Sequence, residues 1–330
     1  MKDKDYNKVR FCYFDADPIV YRAGFGSQKT KYIFRDNEGS VASPTLGSAR
    51  EATVWLEDLE EFGQDTSCYK REPIIEYLSE AKAIAKFDSI IEEYRKKAGN
   101  HITHFVGFLT PSGDKHKCIL GTEDQYQLQR TGTEKPKHHK ALKSYAASLS
   151  FIKMSPLGYE ADELLIYNAE RKGDKGVVMS IDKDMNIAQN TWVIHLQKDG
   201  SGDPVWNTEL GHLDLYRKGT DVKGTGGGFK FLAYQALAGD RSDHYFGLKN
   251  FGPVKAVELI HGCESQKEVV QKCLEVYTEV YGESHSYTSW DGQEITKTPL
   301  EMLQMHFEMP YMSKGPNDTG INLENYLNEV

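Results

Sequence analysis

The sequence predicts an α/β fold in which helices flank a central, parallel sheet. The main observation is that strand-like and helix-like segments alternate over roughly residues 1–200, as they do in parallel sheets. Short apolar runs of strand length lie at residues 9–14, 102–110, 177–181 and 191–197. After these runs the pattern changes, and we expect the C-terminal part to be mostly helical.

The first strand, residues 9–14, leads into a helix that Pro18 opens, since proline suits the first helical position. Residues 27–72 are mixed and partly polar, and we interpret them as an insertion that holds a hairpin and a short helix. Residues 74–98 carry apolar side chains at three- and four-residue spacing, which predicts an amphipathic helix ending at Gly99.

A polar, basic segment follows the second strand, at about residues 111–143. Residues 114–143 contain seven Lys or Arg against four Asp or Glu, with three histidines besides. Further helices are predicted from "HHKALKSYAASL" and at residues 156–173, before the strands at 177–181 and 191–197.

The later part of the chain divides into two regions, 221–282 and a weakly patterned tail, 283–330. The run "GTGGGFK" lacks the lysine and hydroxyl residue that end a phosphate-binding loop, so we interpret it as a flexible connector. A helix is predicted at residues 229–239, and "DHYFGLKNFGPVKAVELI" is a turn-rich stretch that enters another helix. Together with residues 1–220, this gives three expected regions.

Composition narrows the function classes. The 330 residues are 39% hydrophobic, enough for a sizeable core, and the net charge of -9 argues against nonspecific coating of nucleic acid while leaving a local basic groove open. Five cysteines without a CxxC spacing suggest free thiols in a reducing compartment. A charged N-terminus and the lack of a long apolar run predict a cytoplasmic protein without a membrane span.

Acidic residues recur where strands end and helices begin. They are Asp15 and Asp17 after the first strand, Glu160, Asp162 and Glu163 at a helix start, Asp182 and Asp184 after a buried strand, and Asp240 and Asp243 near a helix end. Each group alone fits a helix dipole or a solvated loop. Ligands of parallel sheets collect at the carboxyl ends of the strands, however, and converging carboxylates repel one another unless a cation lies between them. This donor set suits Mg²⁺ or Mn²⁺, and two such ions support phosphodiester cleavage.

Four segments in order along the chain resemble a known family. "FDADPIVYRA", "GYEADELL", "SIDKDM" and "GDRSDHYFGLKNFGPVKA" are similar to motifs of the phage and bacterial 5′-nucleases, the 5′–3′ exonuclease and flap endonuclease family with a PIN-like nuclease core. The resemblance covers roughly residues 9–262, and residues 27–100 are poorly covered. It implies that residues 1–220 form the nuclease core, with the basic segment as an arm, and that 221–282 form a helix–turn–helix element that binds DNA.

The resemblance also implies roles for matching residues. Two Mg²⁺ or Mn²⁺ ions would be held by Asp15, Glu160, Asp162, Glu163, Asp182, Asp184, Asp240 and Asp243. Asp17 would orient its neighbours. The catalytic cations would be Arg22, Arg130 and Lys135, and DNA would contact Tyr126, Arg130, Lys135, Lys137, Gly247, Gly252 and Lys255. In the family, backbone carbonyls of the glycine-rich turn can also hold K⁺.

The chain departs from the family in the acidic motifs, in the arm and in the glycine-rich turn. Glu163 stands in the last place of the E-x-D-D pattern, and after the second strand only Asp114, displaced, is available for an expected aspartate. Gln127 stands where the family's arm has a lysine, so Lys135 or Lys137 would have to replace that cation. Asn250 stands in place of the second glycine of the turn, and the lysine falls one place later, at Lys255.

We therefore expect a monomeric, metal-dependent 5′–3′ exonuclease or flap endonuclease. Its substrate would be DNA, with the RNA of RNA–DNA hybrids as a further substrate, and its setting would be replication, primer removal or recombination in the cytoplasm of a phage-infected cell. One alternative is a structure-specific DNA-binding protein with little or no catalysis, which the incomplete arm motif suggests. A second alternative is a PIN-type ribonuclease.

Overall fold

The computed structural model of the protein describes residues 4–113, 117, 120–128, 132–197, 200–313 and 318–328, without the side chain of Lys218. Within these ranges the strands are β1 (Phe11–Asp15), β2 (Gln28–Arg35), β3 (Lys70–Tyr77), β4 (His104–Leu109), β5 (Ile152–Met154), β6 (Gly176–Ser180), β7 (Thr191–His195), β8 (Pro204–Asn207), β9 (His212–Lys218), β10 (Asp221–Gly227), β11 (His285–Thr288) and β12 (Glu294–Lys297). The helices are α1 (Asp17–Gly26), α2 (Ala49–Glu61), α3 (Glu80–Ala98), α4 (His139–Ser148), α5 (Ala161–Glu170), α6 (Gly228–Ala238), α7 (Pro253–Ile260), α8 (Gln266–Tyr281), α9 (Pro299–Glu308) and α10 (Leu323–Leu327).

The central sheet has six strands in the order β5-β4-β1-β6-β7-β8. The strands from β5 to β7 are parallel, and β8 pairs antiparallel with β7 at the edge. β1 lies inside the sheet between β4 and β6, so the order of connection reverses there. Ligands of such sheets bind outside the carboxyl ends of the strands at this point. The expected α/β class with a central, mainly parallel sheet is confirmed.

Apolar sequence explains why β1 and β6 lie in the middle. Every residue of β6 is buried, and so is every residue of β1 except Phe11. Parallel strands covered on both faces are apolar along their whole length. Leu165 and Ile166 of α5 are buried in the same core, and α5 packs against β1 and β6.

The C-terminal part adds helices to this core, as expected. α6 is buried from Gly228 to Leu237 and packs against α7, α8 and α9. A helix that is apolar all round belongs in a protein interior. No helix in the described part of the chain is long and apolar enough to cross a membrane. Among the described residues, Cys12, Cys68, Cys263 and Cys273 are free thiols.

The chain forms two compact units. The first comprises Met1–Pro18, Glu93–Glu134 and Ala147–Val330, and it holds the whole central sheet. The second comprises Ile19–Glu92 and Lys135–Ala146. The expected three-region division at residues 220 and 282 stays a prediction.

The second unit contains β2 and β3, which pair antiparallel, together with α2, which lies between them in the chain. Phe34 of β2 stacks on Trp55 of α2 with ring centroids 4.8 Å apart. Gly24 of α1 lies against Pro136, since a Cβ at Gly24 would lie 2.5 Å from the Pro136 Cγ atom. The last part of the predicted basic arm, after residue 134, therefore packs on α1 within this unit. The helix expected in residues 27–72 is present as α2. The two strands pair across the segment that holds this helix and not through a hairpin turn, and the second strand extends to Tyr77.

The prediction of one helix over residues 74–98 is wrong at its beginning. Residues up to Tyr77 belong to β3, and α3 begins at Glu80. The reason is the pairing of Ile74 and Ile75 with Lys31 and Thr30, which satisfies their backbone groups in a sheet.

The prediction that "GTGGGFK" is a flexible connector is also wrong. Its glycines end β10, and Gly228 begins α6. Gly224 has no side chain because the Tyr234 ring lies there, with the Tyr234 Cε2 atom 2.5 Å from where a Cβ would be. The Gly224 N–H donates to the Tyr234 hydroxyl at 2.8 Å. The glycines therefore serve close packing and not flexibility.

Candidate metal centre

The carboxyl edge of the sheet brings three segments together. Asp15 is the last residue of β1, and Asp182 lies two residues beyond β6, which is the parallel neighbour of β1. The start of α5 is fixed to the end of β4, because the Ala161 N–H donates to the Thr110 Oγ1 atom at 3.0 Å. Asp162, in the first turn of α5, therefore faces the same edge as Asp15 and Asp182.

These three acids, Asp15, Asp162 and Asp182, form the central carboxylates. Asp15 is buried, and the other two are half-buried. Burial raises the pKa of Asp15, and the charges of Asp17 and Asp182 raise it further.

The other central carboxylates behave in the same way. Burial raises the pKa of Asp162, and the charges of Asp15 and Asp182 add to this effect. Burial and the charge of Asp184 raise the pKa of Asp182 to about 6. A cluster of acids with raised pKa values has an excess of negative charge that a proton or another cation must offset.

Asp17 orients the central group. Its Oδ2 atom accepts a hydrogen bond from the Thr110 N–H at 2.8 Å, and its own N–H donates to the Asp15 Oδ1 atom at 3.0 Å. The expected role of Asp17, to orient its neighbours, stays a prediction.

A second group consists of Asp184, Asp240 and Lys183. The Lys183 ammonium lies 2.8 Å from the Asp184 Oδ1 atom and also contacts the Asp240 carboxylate. Burial lowers the pKa of Lys183, but the two carboxylates outweigh it and the net pKa is raised. Burial likewise raises the pKa of Asp240, and Lys183 outweighs it, so that the net pKa is lowered. We call Asp184 and Asp240 the lysine-bridged pair.

Two buried polar side chains next to this pair were not expected from the sequence. Gln235 of α6 donates from Nε2 to the Asp184 Oδ1 atom at 2.5 Å, while its Oε1 atom has no hydrogen-bond partner among the described residues. Within the same part of the chain, the Tyr245 hydroxyl also has no partner. Its pKa is raised by burial and by the charges of Asp184 and Asp240. For Gln235, the signal in the sequence was a glutamine in a helix in which Lys230 is the one charged residue.

The loop after α6 is held in place by its own acids. The Ser242 N–H donates to the Asp240 Oδ1 atom at 2.7 Å. Gln127 donates from Nε2 to the Asp243 Oδ1 atom at 3.3 Å, and its N–H donates to the Asp243 carbonyl oxygen at 2.8 Å. Gln127, which stands at the position of the family's arm lysine, thus binds an acid of the predicted site.

Tyr126, predicted to contact nucleic acid, is buried. Its hydroxyl donates to the Glu160 Oε2 atom at 3.4 Å. Both carboxylate oxygens of Glu163 accept backbone hydrogen bonds, one from the Glu160 N–H at 2.8 Å and one from the Ser313 N–H at 3.2 Å. These bonds cap the start of α5, which favours a structural role for Glu163. The roles predicted for Tyr126, Glu160 and Glu163 in binding DNA or metal stay predictions.

The predicted DNA-binding turn lies before α7. Gly252 is the residue before the first turn of α7, and Asn250 adopts a left-handed conformation with φ 61, as the glycine it replaces would. The Lys255 ammonium donates to the Asn250 carbonyl oxygen at 3.2 Å. Gly247 packs against the Leu237 carbonyl, 2.2 Å from where a Cβ would be. A cavity of about 300 Å³ at this turn is lined by Lys249, Asn250, Phe251, Lys255, Val276, Glu279 and Val280.

The remaining predicted cations do not belong to the unit that holds the acids. Arg22, Lys135 and Lys137 lie in the second unit, where the Lys137 ammonium lies 4.4 Å from the centroid of the Tyr77 ring. Arg130 lies outside the described residues.

Among the residues that the structure describes, no group of three or more His, Cys, Asp or Glu side chains has the arrangement of a formed metal site. The chemistry of the donors nevertheless fits a hard cation. A bound cation would offset the repulsion among the central carboxylates, and the orphaned Gln235 Oε1 atom is a spare oxygen acceptor beside the lysine-bridged pair. The acids therefore match Mg²⁺ or Mn²⁺ in type and charge.

Comparison with known proteins gives little likeness at the sequence level. No protein-family model matches the chain, and no curated protein matches it. Among solved structures, the chain is similar to a mutant of the T5 5′-exonuclease. The TM-score is 0.35 and the identity 11%, over 59% of this chain and 69% of that chain.

Proposed function

We propose that the protein is a Mg²⁺- or Mn²⁺-dependent nuclease of the 5′–3′ exonuclease or flap endonuclease type, acting on DNA. The observation that supports this most is the meeting of the central carboxylates. Asp15, Asp162 and Asp182 come from three distant parts of the chain, and at the carboxyl edge of a parallel sheet the charge of Asp182 raises the pKa of both Asp15 and Asp162. A fold retains such mutual repulsion where a cation is to be bound.

The acids would hold the ions in two places. Asp15, Asp162 and Asp182 form one donor group, and Asp184, Asp240 and Asp243 form the other, with Glu160 beside the first. Bound divalent ions supply an activated water and stabilise the charge that develops on a cleaved phosphodiester. Asp17 holds Asp15 by its backbone N–H, and Gln127 holds the Asp243 loop.

The remaining residues would bind the DNA. The N-terminus of α7 and the Lys249 and Lys255 side chains surround the cavity before that helix, and backbone N–H groups at a helix start favour a phosphate. Such contacts read the backbone and not the base sequence. Arg22, Arg130, Lys135 and Lys137 are proposed to offset charge on the phosphate.

A cleavage assay tests the proposal. Purified protein is incubated with a 5′-labelled DNA duplex, a 5′-flap duplex and an RNA duplex of the same sequence, with Mg²⁺ or with EDTA. We expect short products from DNA with Mg²⁺ and none with EDTA. Binding without metal-dependent product would favour the DNA-binding protein. Cleavage of the RNA duplex alone would favour the PIN-type ribonuclease.

A further inference from the structure

The carboxylate cluster contains one cation of its own, the Lys183 ammonium. It forms ion pairs with both members of the lysine-bridged pair, whereas no ion pair joins a lysine or arginine among the described residues to the central carboxylates. The two halves of the cluster are therefore compensated differently. One half lacks a fixed positive charge, and the other already has one.

The lysine-bridged pair is positioned without the help of Lys183. The Asp184 N–H donates to the Asp182 Oδ1 atom at 3.0 Å, and Gln235 donates to the Asp184 carboxylate. The Ser242 N–H donates to the Asp240 Oδ1 atom at 2.7 Å. Because these bonds fix both carboxylates, the space between them suits a cation whether or not the ammonium lies there.

A single ammonium leaves this half of the cluster short of positive charge. Two carboxylates carry two negative charges, and Lys183 supplies one positive charge. Next to them, the Gln235 Oε1 atom and the Tyr245 hydroxyl are buried, and no described residue forms a hydrogen bond with either atom. Buried polar atoms of this kind are ordinarily satisfied, and water bound to a divalent ion would satisfy them.

The Lys183 side chain is also exposed to solvent. Its side chain is 43% exposed, against 11% for Asp184 and 9% for Asp240. The ammonium can therefore turn towards solvent while both carboxylates stay in place.

We propose that Lys183 is an internal cation that occupies the second of two cation positions. A first divalent ion binds at Asp15, Asp162 and Asp182, and a second ion binds only by displacing the Lys183 ammonium from Asp184 and Asp240. Metal binding is then stepwise, and the charge of Lys183 sets the difference in affinity between the two ions. This inference rests on the metal requirement of the proposed function and concerns how the chain loads its ions.

The test is a Mn²⁺ titration of the whole chain without DNA, in which free Mn²⁺ is followed by electron paramagnetic resonance. The variants are K183M and K183Q, which remove the charge, K183R, which keeps it, and K96M as the matched control. Lys96 is exposed near the end of α3, the helix that precedes β4, and so lies at the opposite edge of the sheet from the acids.

We expect one tight and one weaker ion for the natural chain, K96M and K183R. In K183M and K183Q the second ion binds about tenfold or more tightly, because no ammonium competes for the carboxylates. Identical binding curves for K183M, K183Q and K96M would overturn the inference. If K183M and K183Q unfold in EDTA, recovery of their near-ultraviolet circular dichroism by Mn²⁺ supports displacement, and no recovery contradicts it.

The DNA cleavage assay separates this inference from the proposed function. If the natural chain cleaves DNA with Mg²⁺ and the K183M titration is unchanged, the inference fails and the nuclease proposal stands. If the second ion tightens in K183M and no duplex is cleaved, the nuclease proposal fails and the role of Lys183 stands.

Discussion

At the scale of single residues, Asp182 links the two halves of the carboxylate cluster. Its Oδ1 atom accepts the Asp184 N–H, and the charge of Asp182 raises the pKa of both Asp15 and Asp162. A change at this position therefore affects the electrostatics of every acid in the cluster.

We expect D182N to lower the rate of DNA cleavage by more than about a hundredfold, because an amide is a poor ligand for Mg²⁺. DNA binding should stay within about threefold of the natural chain, since phosphate contacts elsewhere carry the affinity. Both are measured on one labelled duplex, by product formation and by mobility shift.

The matched control for this change is D174N. Asp174 lies just before β6, at the other end of the same strand, with a side chain that is 54% exposed. Cleavage by D174N should equal that of the natural chain. Undiminished cleavage by D182N at ordinary Mg²⁺ would remove Asp182 from the site.

At this scale, sequence reasoning finds the acids of the cluster and misses the side chains that contact them. Asp15 and Asp182 are recognisable because each follows an apolar strand, and Asp162 because it opens a helix. The roles of Gln235, Tyr245 and Lys183 depend on which side chains approach from other elements. Spacing along the chain carries no information of that kind.

At the scale of elements, α6 joins the acids to the C-terminal helices. One side of it presents Gln235 to Asp184, and the Ala236 carbonyl oxygen accepts a hydrogen bond from the Tyr277 hydroxyl of α8 at 3.5 Å. The Tyr277 hydroxyl also lies 2.5 Å from the Nδ1 atom of His306 in α9. The three helices thus meet at one buried polar contact.

This contact makes the stability of the helical part depend on pH. Burial lowers the pKa of His306 from 6.5 to about 4. Between pH 6.5 and pH 4 the unfolded chain binds a proton at His306 and the folded chain does not. The stabilisation by neutral, buried His306 is therefore complete above pH 6.5 and is lost as pH falls towards 4. A shift of this size corresponds to about 3 kcal/mol of unfolding free energy.

We expect the difference in unfolding free energy between the natural chain and H306Q to narrow by about 3 kcal/mol over this pH range. Urea unfolding at a series of pH values measures it. H104Q serves as the control, because His104 lies exposed in β4. A difference that stays constant with pH would show that His306 takes up its proton in the folded chain.

Strands with strong apolar runs were predictable at this scale, and short or glycine-rich strands were not. β1, β4, β6 and β7 each carry a run that only a covered strand explains. The end of β10 was predicted to be a connector because glycine has low strand propensity. The glycine at position 224 is explained by the Tyr234 ring, which packs against it in the folded chain.

At the scale of the whole molecule, the acids weaken the fold when no divalent ion is bound. The pKa of Asp182 is raised to about 6. The protonated Asp182 carboxyl therefore stabilises the folded chain at low pH, and this stabilisation is lost as pH rises through 6. Ion binding requires the deprotonated acids. The stabilisation by a bound ion should therefore grow with pH.

We expect Mn²⁺ to raise the thermal unfolding midpoint above that in EDTA, and to raise it more at pH 7 than at pH 5. A free-ion concentration about a hundredfold above Kd gives about 2.7 kcal/mol of stabilisation per site. Scanning calorimetry measures the shift, with K⁺ at equal ionic strength as the control. Equal midpoints in Mn²⁺ and EDTA at both pH values would contradict it.

Of the overall arrangement, the sequence predicted only the fold class, α/β with a mainly parallel sheet. Alternating elements predict a parallel sheet, but they do not tell that β1 lies between β4 and β6. The joining of residues 135–146 to residues 19–92 also escaped sequence reasoning, because it depends on the contact between Gly24 and Pro136.

The position of β1 between β4 and β6 has a consequence for a chain that is still being synthesised. Asp15 leaves the ribosome early, but β6 and the loop with Asp240 are made much later. A nascent or truncated chain that stops before β6 has Asp15 but lacks Asp182 and Asp240. Under the proposed function, such a chain could not assemble both groups of metal ligands, so unfinished copies would not cleave nucleic acid.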